Sequence, residues 1–596
     1  MAQTEKTLDW EQYLKTAAQV VSEGIVMLKN DNDALPLNPD DEIALFGRIQ
    51  LHYYKSGTGS GGMVNVSKIT GIPDGLLENG VSVNEELLDV YRKWDSENPF
   101  DLGDGWGKEP WSQTEMPLDE ALVAHVSESS HTAIVIIGRT AGEEQDNSLH
   151  EGSYLLTAAE KDMLAKVRHH FPKMIVLLNV GNIIDMNELL SFDPDSVLYV
   201  WQGGMTGGTG TADVLTGKIS PCGKLTDTIA ANVNDYPSAP YFGDPYRNFY
   251  SEDIYVGYRY FETFARDKVL YPFGFGLSYT TFDIAITGAK QLSDKWDFTV
   301  KVTNTGNYSG KEVVQIYCKA PQGRLGKPSR VLCGYEKTDT LAPGKSQVMT
   351  ISVSNAQIAS YDDSGVTGHK SCYVSEAGAY VFHVGNSVRN TKIADVDGKG
   401  AYIVKELCVT EALQEALAPT EAFERIRPGQ SREDGSYQQE KEAVPQQTIR
   451  LQERIEAHLP EQLAITGDKG IRFSDVAEGK ADLDTFIVQL TKEELATIVR
   501  GEGMSSPKVT PGTASTFGGV SDRLYEYGIP AACCADGPSG IRMESGLKAT
   551  QLPIGTLLAC SFNIPMMEEL YVMEGKELVA NEVDTLLGPG INIHRY

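Results

Sequence analysis

The sequence predicts a multidomain α/β protein, in which an α/β sheet domain is followed by a β-sandwich and then by a second series of strands and helices. Three observations lead to this fold class: the length of 596 residues, apolar strands that alternate with helices over the first 280 residues, and a two-residue period that begins near residue 283. At about 100–200 residues per domain, the length alone implies roughly three to five domains.

The first domain, residues 1–282, has the pattern of a sheet that helices cover on both faces. Short apolar runs rich in β-branched residues lie at 43–46, 132–138, 174–180 and 196–201, and helical patterns lie at 118–126 and 156–170. Continuous apolar strands separated by amphipathic helices are typical of such a buried sheet. Ligands bind these sheets beyond the carboxyl ends of the strands, so the turns after residues 138 and 201 are candidate site positions.

The second domain, residues 283–399, is expected to be a β-sandwich of short strands separated by turns. Apolar and polar residues alternate at 296–306, 312–320 and 380–386. The following segment, 400–485, contains the polar stretch 427–447, which has almost no apolar side chains. This composition favours an exposed connector, partly disordered or helical, over a packed core.

Helical and strand patterns return over residues 486–596. The apolar run from Ile529 to Ala535 precedes Asp536, and the sequence ends shortly after a further strand pattern. A (β/α)8 barrel needs about 250 residues, whereas about 107 follow residue 489. We therefore expect a βα domain that is cut short in this chain.

The composition excludes several classes of function. Lys and Arg total 52 against 82 Asp and Glu, and the resulting net charge of −30 repels nucleic acid and anionic membranes. The longest apolar runs are shorter than the ~18 residues of a membrane span. The N-terminus has no apolar signal core and the eight cysteines form no C-x-x-C pair, so we expect a cytoplasmic chain. No histidine lies in an H-x-x-x-H or H-E-x-x-H pattern, and we predict no metal site and no cofactor.

Asp536 follows an apolar strand directly and opens the turn Asp536–Gly540, with Arg542 just beyond it. A carboxylate at the carboxyl end of a βα strand points into the mouth of a barrel. Paired Asp and Arg side chains suit a polyhydroxylated ligand, because one accepts and the other donates hydrogen bonds. A β-turn closed by the Asp side chain explains the same residues equally well.

Six segments each match part of one family. They are SEGIVMLKNDNDALPL (22–37), YPFGFGLSYTTF (271–282), VTNTGNYSGKEVVQIY (302–317), ADGPSGIR (535–542), KATQLPIGTLLACSFN (548–563) and LLGPGINIHR (586–595). Together they resemble glycoside hydrolase family 3, in its β-glucosidase branch. The resemblance implies an α/β sandwich, then a fibronectin-III-like β-sandwich, then the first part of a (β/α)8 barrel, which is the inverted domain order of the family.

The resemblance also implies the site residues. Asp536, Arg542 and Arg595 match positions that hold the hydroxyl groups of the terminal glucose. The family nucleophile is an Asp in an S-D-W-type motif on a later barrel strand, and this sequence contains neither that motif nor the family's Lys-His pair. Asp9-Trp10 lies in a polar, helix-like segment and is not a nucleophile. We therefore expect the nucleophile outside this chain, and we expect the chain alone to be inactive.

The predicted acid/base lies after the strand 132–138, in the sequence GRTAGEEQD. The family often supplies this group from a G-E-G-x-D-like loop, in which Gly142 and Glu143 match the G-E and Asp146 matches the D. Glu144 stands where a glycine is usual. Glu143 is the predicted acid/base and Glu144 the second choice, and a solvated acidic loop is the alternative interpretation.

The glycine-rich segment from Gly57 to Gly62 leads into Met63 rather than into Lys-Ser or Lys-Thr. A nucleotide-binding loop would need that ending, so we expect instead a loop packed near the boundary between the sandwich and the barrel.

The predicted function is a retaining exo-β-glucosidase that hydrolyses terminal non-reducing β-D-glucosyl residues of cello-oligosaccharides or of aryl and alkyl glucosides. Within the family, β-xylosidase, arabinofuranosidase and N-acetylglucosaminidase remain as alternatives, although the Asp-Gly-Pro turn favours glucose. A non-catalytic sugar-binding fragment is the alternative from a different class. The expected partner is the β-glucoside or oligosaccharide substrate, and homo-oligomer formation is left open.

Overall fold

The computed structural model describes residues 8–395, 398, 400–415, 417–504 and 506–595. The predicted domain limits at residues 1, 399 and 596 lie outside the described residues. Within the described part, the chain folds into an α/β sandwich, a β-sandwich with a following hairpin, and a βα segment.

The first part is the α/β sandwich. Its helices and strands are α1 (Trp10–Gly24), β1 (Val26–Asn30), β2 (Glu42–Phe46), α2 (Ile72–Glu78), β3 (Ser82–Val83), α3 (Glu85–Glu97), α4 (Glu120–Ser129), β4 (Thr132–Gly138), α5 (Ala158–His170), β5 (Lys173–Asn179), α6 (Met186–Leu190), β6 (Ser196–Tyr199), α7 (Gly207–Leu215), β7 (Ile229–Ala230), α8 (Tyr258–Phe264) and β8 (Val269–Tyr271).

Its central sheet has six strands in the order β1-β6-β5-β4-β2-β3. All pairings are parallel except that of β1 with β6. The four apolar runs predicted from the sequence are strands of this sheet, and β4 is buried along its whole length. Facing pairs such as Ile134 and Ile175 set the register of β4 and β5. The segment that follows Gly138 therefore lies at the carboxyl edge of the sheet, where ligands bind in such folds.

The second part is a β-sandwich, as the alternating pattern predicts. Its elements are β9 (Phe282–Gln291), β10 (Lys295–Asn304), β11 (Val313–Lys319), β12 (Val331–Lys337), β13 (Ser346–Ser354), α9 (Asn355–Ile358), β14 (Ser360–Asp362), β15 (Cys372–Ser375), β16 (Gly378–Gly385) and β17 (Thr391–Ile393). The sheets β13-β10-β9 and β12-β11-β16-β17 enclose one apolar core. Trp296 and Phe298 from the first sheet contact Phe382 from the second, with ring centroids 5.4 and 5.0 Å apart.

The segment expected to be a connector contains more strand than its composition suggests. Its elements are β18 (Tyr402–Val404), β19 (Cys408–Ala412), β20 (Glu424–Ser431), β21 (Tyr437–Ala443), α10 (Leu451–Ala457), α11 (Phe473–Ala477) and α12 (Leu483–Ile487). β20 and β21 form a hairpin in which Arg425 Nε lies 2.9 Å from Glu442 Oε1. Ile426 anchors this hairpin on the α/β sandwich, in an apolar cluster with Tyr255 and Phe264. Cross-strand ion pairs and one apolar anchor thus support a hairpin that has no hydrophobic periodicity.

The third part alternates helices and strands again. Its elements are α13 (Lys492–Arg500), β22 (Ser515–Gly518), α14 (Asp522–Glu526), β23 (Ala531–Asp536), α15 (Gly555–Cys560), α16 (Ile564–Ala580) and β24 (Thr585–Leu587). β23 pairs antiparallel with β22 and parallel with β24. The parallel pair is joined through α15 and α16, as a βα-type domain requires. Both helices contact α1, and Leu557 and Leu570 join the core of the α/β sandwich. The barrel itself stays a prediction.

A buried ion cluster joins the three parts. Glu23, near the end of α1, is 1% exposed, and its carboxylate lies 3.1 Å from Lys337 Nζ and 2.5 Å from Lys311 Nζ, both in the β-sandwich. Asn563 Nδ2 donates to Glu23 Oε2 at 2.9 Å, and Lys337 Nζ donates to Ser561 O at 2.7 Å. Burial alone would raise the pKa of Glu23, but the two ammonium groups hold it at about 2.

Candidate active site

Residues 57–62 form the glycine-rich loop, which lies against the segment after β4. Thr58 N donates to Ala141 O at 2.5 Å. A Cβ atom at Gly57 would come 2.0 Å from Ala141 O, and one at Gly62 would come 1.4 Å from Gly57 O. Glycine is needed at these two positions because the neighbouring backbone leaves no room for a side chain. The loop is thereby fixed at the carboxyl edge of the central sheet.

The side chain of Glu143, the predicted acid/base, contacts the glycine-rich loop. Ser60 Oγ donates a hydrogen bond to Glu143 Oε1. An added Cβ at Gly59 would come 2.8 Å from Glu143 Oε2, so the loop backbone also packs on the carboxylate. Gly142 turns the chain just before Glu143, with a φ of +135° that favours glycine. Glu143 remains exposed, which leaves its carboxylate accessible to a substrate.

The adjacent acid, Glu144, has different neighbours. Its φ is +65°, in the left-handed region that is unusual for a residue with a side chain. A Cβ added at Gly107 would come 3.4 Å from Glu144 Cβ, and Gln145 Nε2 donates to Gly107 O at 2.9 Å. Asp146 is exposed, as are both glutamates. The two candidate acids therefore face different segments, and Glu143 is the one that contacts Ser60.

Lys55 links the glycine-rich loop to the DGPSG turn, which consists of residues 536–540. Its Nζ donates to Gly62 O at 2.6 Å and to Gln551 Oε1 at 2.8 Å. Gln551 Nε2 in turn donates to the carbonyl oxygen of Ser539 in the turn. Burial lowers the pKa of Lys55 to about 8. One half-buried amine and one amide thus connect segments that are far apart in sequence.

The DGPSG turn holds Asp536 and Arg542 together, as predicted. Arg542 N donates to Asp536 O at 2.8 Å, and Arg542 Nη1 lies 3.4 Å from Asp536 Oδ2. The side chain of Asp536 is 26% exposed and that of Arg542 is 10% exposed. Pro538 lies close to the glycine-rich loop, since a Cβ added at Gly61 would come 3.4 Å from Pro538 Cβ, and Gln551 Nε2 donates to Gly61 O at 3.2 Å. The glycine-rich loop therefore contacts the Glu143 segment on one side and the DGPSG turn on the other.

Arg595, the third predicted sugar-binding residue, lies apart from the Asp–Arg pair. Its Nε lies 2.5 Å from Glu252 Oε1, and its Nη1 donates to Asn248 Oδ1 at 2.9 Å. The guanidinium carbon lies 4.6 Å from the ring centroid of Tyr250. These contacts hold Arg595 on the α/β sandwich, and the structure does not bring it to the DGPSG turn.

Sequence reasoning missed four residues of this arrangement. Ser60 and Lys55 lie within or beside the glycine-rich loop, so that loop was an available signal. Gln551 lies in the segment 548–563, in which only the resemblance to the family points to function. No motif marks Glu109, whose backbone carbonyl accepts a hydrogen bond from Gln145 Nε2 behind the Glu143 segment. Burial raises the pKa of Glu109 to about 7, and such a perturbed group is typical of functional sites.

A cavity of about 1090 Å³ lies between the α/β sandwich, the β-sandwich and the C-terminal segment. Thr226, Tyr258, Tyr335, Phe562 and His594 are among its lining residues, which include none of the predicted sugar-binding or acid/base residues. The geometry around the glycine-rich loop, rather than the volume of this cavity, therefore defines the candidate active site.

Two further features bear on function. Among the described residues, the side chains grouped closely enough to hold a metal ion are those of Glu120, His169 and His170, on the flank of the α/β sandwich. No helix in the described part of the chain is long and apolar enough to cross a membrane.

Comparisons with known proteins identify related sequences and structures. The family model for the glycosyl hydrolase family 3 C-terminal domain matches residues 25–279, and the fibronectin type III-like domain matches residues 312–388. A β-glucosidase of Ruminococcus albus is 56% identical over 99% of this chain and 61% of its own length. β-Glucosidase A of Butyrivibrio fibrisolvens is 36% identical over 98% of this chain and 75% of its own length.

A crystal structure of a β-glucosidase from Paenibacillus barengoltzii is also similar, with 56% sequence identity and a TM-score of 0.96. The match covers 99% of this chain and 64% of the crystallised one. The chain thus spans about three fifths of the length of the first relative and slightly more of this structure.

Proposed function

The chain belongs to glycoside hydrolase family 3, and from this membership we propose that it serves in a retaining exo-β-glucosidase. The proposed substrates are cello-oligosaccharides and aryl or alkyl glucosides, from which a terminal non-reducing β-D-glucosyl residue is removed. We further propose that the α/β sandwich and the fibronectin-III-like module precede a (β/α)8 barrel, of which residues 486–596 form the first part.

One observation carries this proposal: the glycine-rich loop contacts both halves of the candidate site. On one side, Ser60 donates to the carboxylate of Glu143. On the other, Gly61 packs against Pro538 of the DGPSG turn. A sugar held by Asp536 and Arg542 would therefore lie near a carboxyl group supplied by a different domain. Hydrolysis of a glycosidic bond requires two carboxyl groups that flank it, and Glu143 would supply one of them from the α/β sandwich.

Glu143 is proposed to act twice in the reaction. In the first step its carboxyl group protonates the departing glycosidic oxygen while a carboxylate nucleophile attacks the anomeric carbon. In the second step Glu143 removes a proton from the water that hydrolyses the glycosyl-enzyme. Retention needs the two carboxyl groups about 5–5.5 Å apart. We propose that the nucleophile is an Asp outside this chain, because the sequence contains no S-D-W-type motif.

Asp536 and Arg542 are proposed to hold the hydroxyl groups of the terminal glucose. The partly exposed Asp536 carboxylate accepts hydrogen bonds, and the Arg542 guanidinium orients it and donates to the sugar. Arg595 is proposed as a third ligand. It would act from the C-terminal segment only after exchanging its contact with Glu252 for one with the sugar.

A substrate panel tests the proposed function. The enzyme that carries this chain together with the nucleophile should hydrolyse p-nitrophenyl β-glucoside with a higher kcat/KM than the β-xyloside, the α-arabinofuranoside or the N-acetyl-β-glucosaminide. A preference for one of the other glycosides would favour that member of the family. Saturable glucose binding without turnover of any glycoside would favour the non-catalytic sugar-binding alternative.

A further inference from the structure

Helices α4 and α5 bring three metal-ligating side chains together on the flank of the α/β sandwich. Glu120 is the first residue of α4, and His169 and His170 are the last two of α5. One ligand atom from each side chain lies within 4.8 Å of the other two. His170 Nε2 is 2.6 Å from Glu120 Oε1, and the two imidazole centroids are 4.7 Å apart with the rings at 82°. The proposed enzyme mechanism uses none of these residues.

The donor set is the one that Zn²⁺ takes. Two imidazole nitrogens and one carboxylate oxygen, with water in the fourth position, make an open tetrahedral site. Zinc–ligand distances of 2.0–2.2 Å place tetrahedral donors about 3.4 Å apart. Separations of up to 4.8 Å therefore have to close by at most about 1.4 Å, and the 2.6 Å separation of His170 and Glu120 has to open by about 0.8 Å. Exposed side chains can make that adjustment by rotation, and the side chains of Glu120 and His170 are 54% and 20% exposed.

The end of α5 provides an electrostatic environment that favours a cation. The carbonyl groups of a helix C-terminus carry partial negative charge, and the two histidines occupy that end of the 13-residue helix α5. Two cationic side chains of α5 are already paired: Lys166 Nζ lies 2.6 Å from Asp162 Oδ2, and Arg168 Nη1 lies 2.7 Å from Asp195 Oδ2. The net charge of −30 further concentrates cations at the surface of the protein.

We propose that Glu120, His169 and His170 form a surface site for Zn²⁺ or a similar borderline divalent metal ion. The ligands come from two helices, so a bound ion cross-links α4 to α5 and stabilises the folded α/β sandwich. A simpler arrangement uses the same residues without a metal: a hydrogen bond between His170 and Glu120, with the His169 imidazole exposed to solvent at the helix end. The two arrangements differ in whether the protein binds zinc.

Isothermal titration calorimetry of the whole chain with ZnCl₂ distinguishes the zinc site from the metal-free arrangement. The protein is first stripped with EDTA and carries Cys408→Ser, because an exposed thiol at that position would itself bind zinc. We expect one saturable site per chain. His169→Ala, His170→Ala and Glu120→Gln should each weaken zinc binding at least tenfold, because each removes a direct ligand. Zinc binding is measured without any glycosidase assay, so this experiment tests the metal site independently of the proposed function.

His125→Ala is the matched control. His125 is an exposed histidine on α4 that lies 3.5 Å from Glu86 and 3.6 Å from Glu128, outside the proposed site. This variant should bind zinc as the parent does. Thermal unfolding gives a second readout: zinc should raise the Tm of the parent and of His125→Ala, but not that of the His169→Ala/His170→Ala double variant. Absence of saturable binding in the parent, or unchanged affinity in the double variant, would overturn the site.

Discussion

Two buried carboxyl groups on α16 make the stability of the chain sensitive to alkaline pH. Glu574 is 1% exposed, and among the described residues neither of its carboxyl oxygens has a hydrogen-bond partner. Glu577 is also buried, and its Oε1 accepts from Thr550 N at 2.8 Å. Burial, reinforced by the neighbouring charge of Glu577, raises the pKa of Glu574 from 4.5 to about 8.

The sign and size of the effect follow from linkage. A carboxyl group whose pKa rises on folding binds more protons in the folded than in the unfolded state, so stability falls as pH rises from 4.5 through 8. At 1.36 kcal/mol per pKa unit, the loss between pH 5 and pH 9 is about 4 kcal/mol. Glu574→Gln cannot ionise. The unpaired amide of this variant lowers the free energy of unfolding by about 1–3 kcal/mol at pH 5. Because the amide has no charge to bury, the variant avoids most of the loss of stability that the parent undergoes at alkaline pH.

Differential scanning calorimetry at pH 5, 7 and 9 measures this effect. For a domain of 150–250 residues, 4 kcal/mol corresponds to roughly 8–16 °C in Tm. Between pH 5 and pH 9 the Tm of the parent should therefore fall further than the Tm of Glu574→Gln, and the two decreases should differ by roughly 8–16 °C. Glu568→Gln is the matched control, because Glu568 is an exposed residue of the same helix and its variant should follow the parent. Parallel curves of Tm against pH for the parent and Glu574→Gln would refute the reasoning.

Three further predictions concern the site and the domain junction. In the nucleophile-containing enzyme, Asp536→Ala should lower kcat/KM at least about 100-fold, or ~2.7 kcal/mol, and near-parental kinetics with an intact fold would make Asp536 a turn residue only. Ser60→Ala should lower kcat by up to roughly 10-fold with little change in KM, and Ser60→Thr should restore it, because the hydrogen bond that positions the Glu143 carboxyl group is worth about 0.5–1.5 kcal/mol. Glu23→Gln should destabilise the chain by about 3–5 kcal/mol at neutral pH, because the buried ammonium group of Lys337 and the partly buried one of Lys311 lose their counter-ion. Since the pKa of Glu23 is lowered to about 2, the difference in Tm should narrow as pH falls below 4.5, and a constant difference would contradict this account.

The elements that the sequence predicts best are those whose pattern is local. The strand at 132–138 matches β4 to the residue, because a fully buried strand is apolar throughout. The hairpin of β20 and β21 was missed because ion pairs such as Arg425 with Glu442, and not an apolar face, support it. A strand that is stabilised by charged cross-strand pairs has no alternation of apolar and polar residues, so its sequence resembles that of an exposed connector.

In the candidate site, too, the sequence predicts local contacts better than contacts between residues that are far apart in the chain. Asp536 and Arg542 are six residues apart, and one turn brings them together. The choice between Glu143 and Glu144 depends on Ser60, which is 83 residues from Glu143. The position of Arg595 depends on Glu252, 343 residues away. The first contact is set by tertiary packing within the α/β sandwich and the second by packing between domains, and motifs encode neither.

The most direct test of the central claim, that Glu143 is the acid/base, is the leaving-group dependence of Glu143→Ala in the nucleophile-containing enzyme. An alkyl glucoside needs its departing oxygen protonated, whereas a dinitrophenolate leaves without help. Turnover of alkyl glucosides should therefore fall by roughly 10²–10⁴-fold. The glycosyl-enzyme should accumulate on dinitrophenyl glucoside, and azide should restore turnover because it needs no base. A uniform loss across leaving groups without azide rescue, together with a steep dependence in Glu144→Ala, would contradict the assignment.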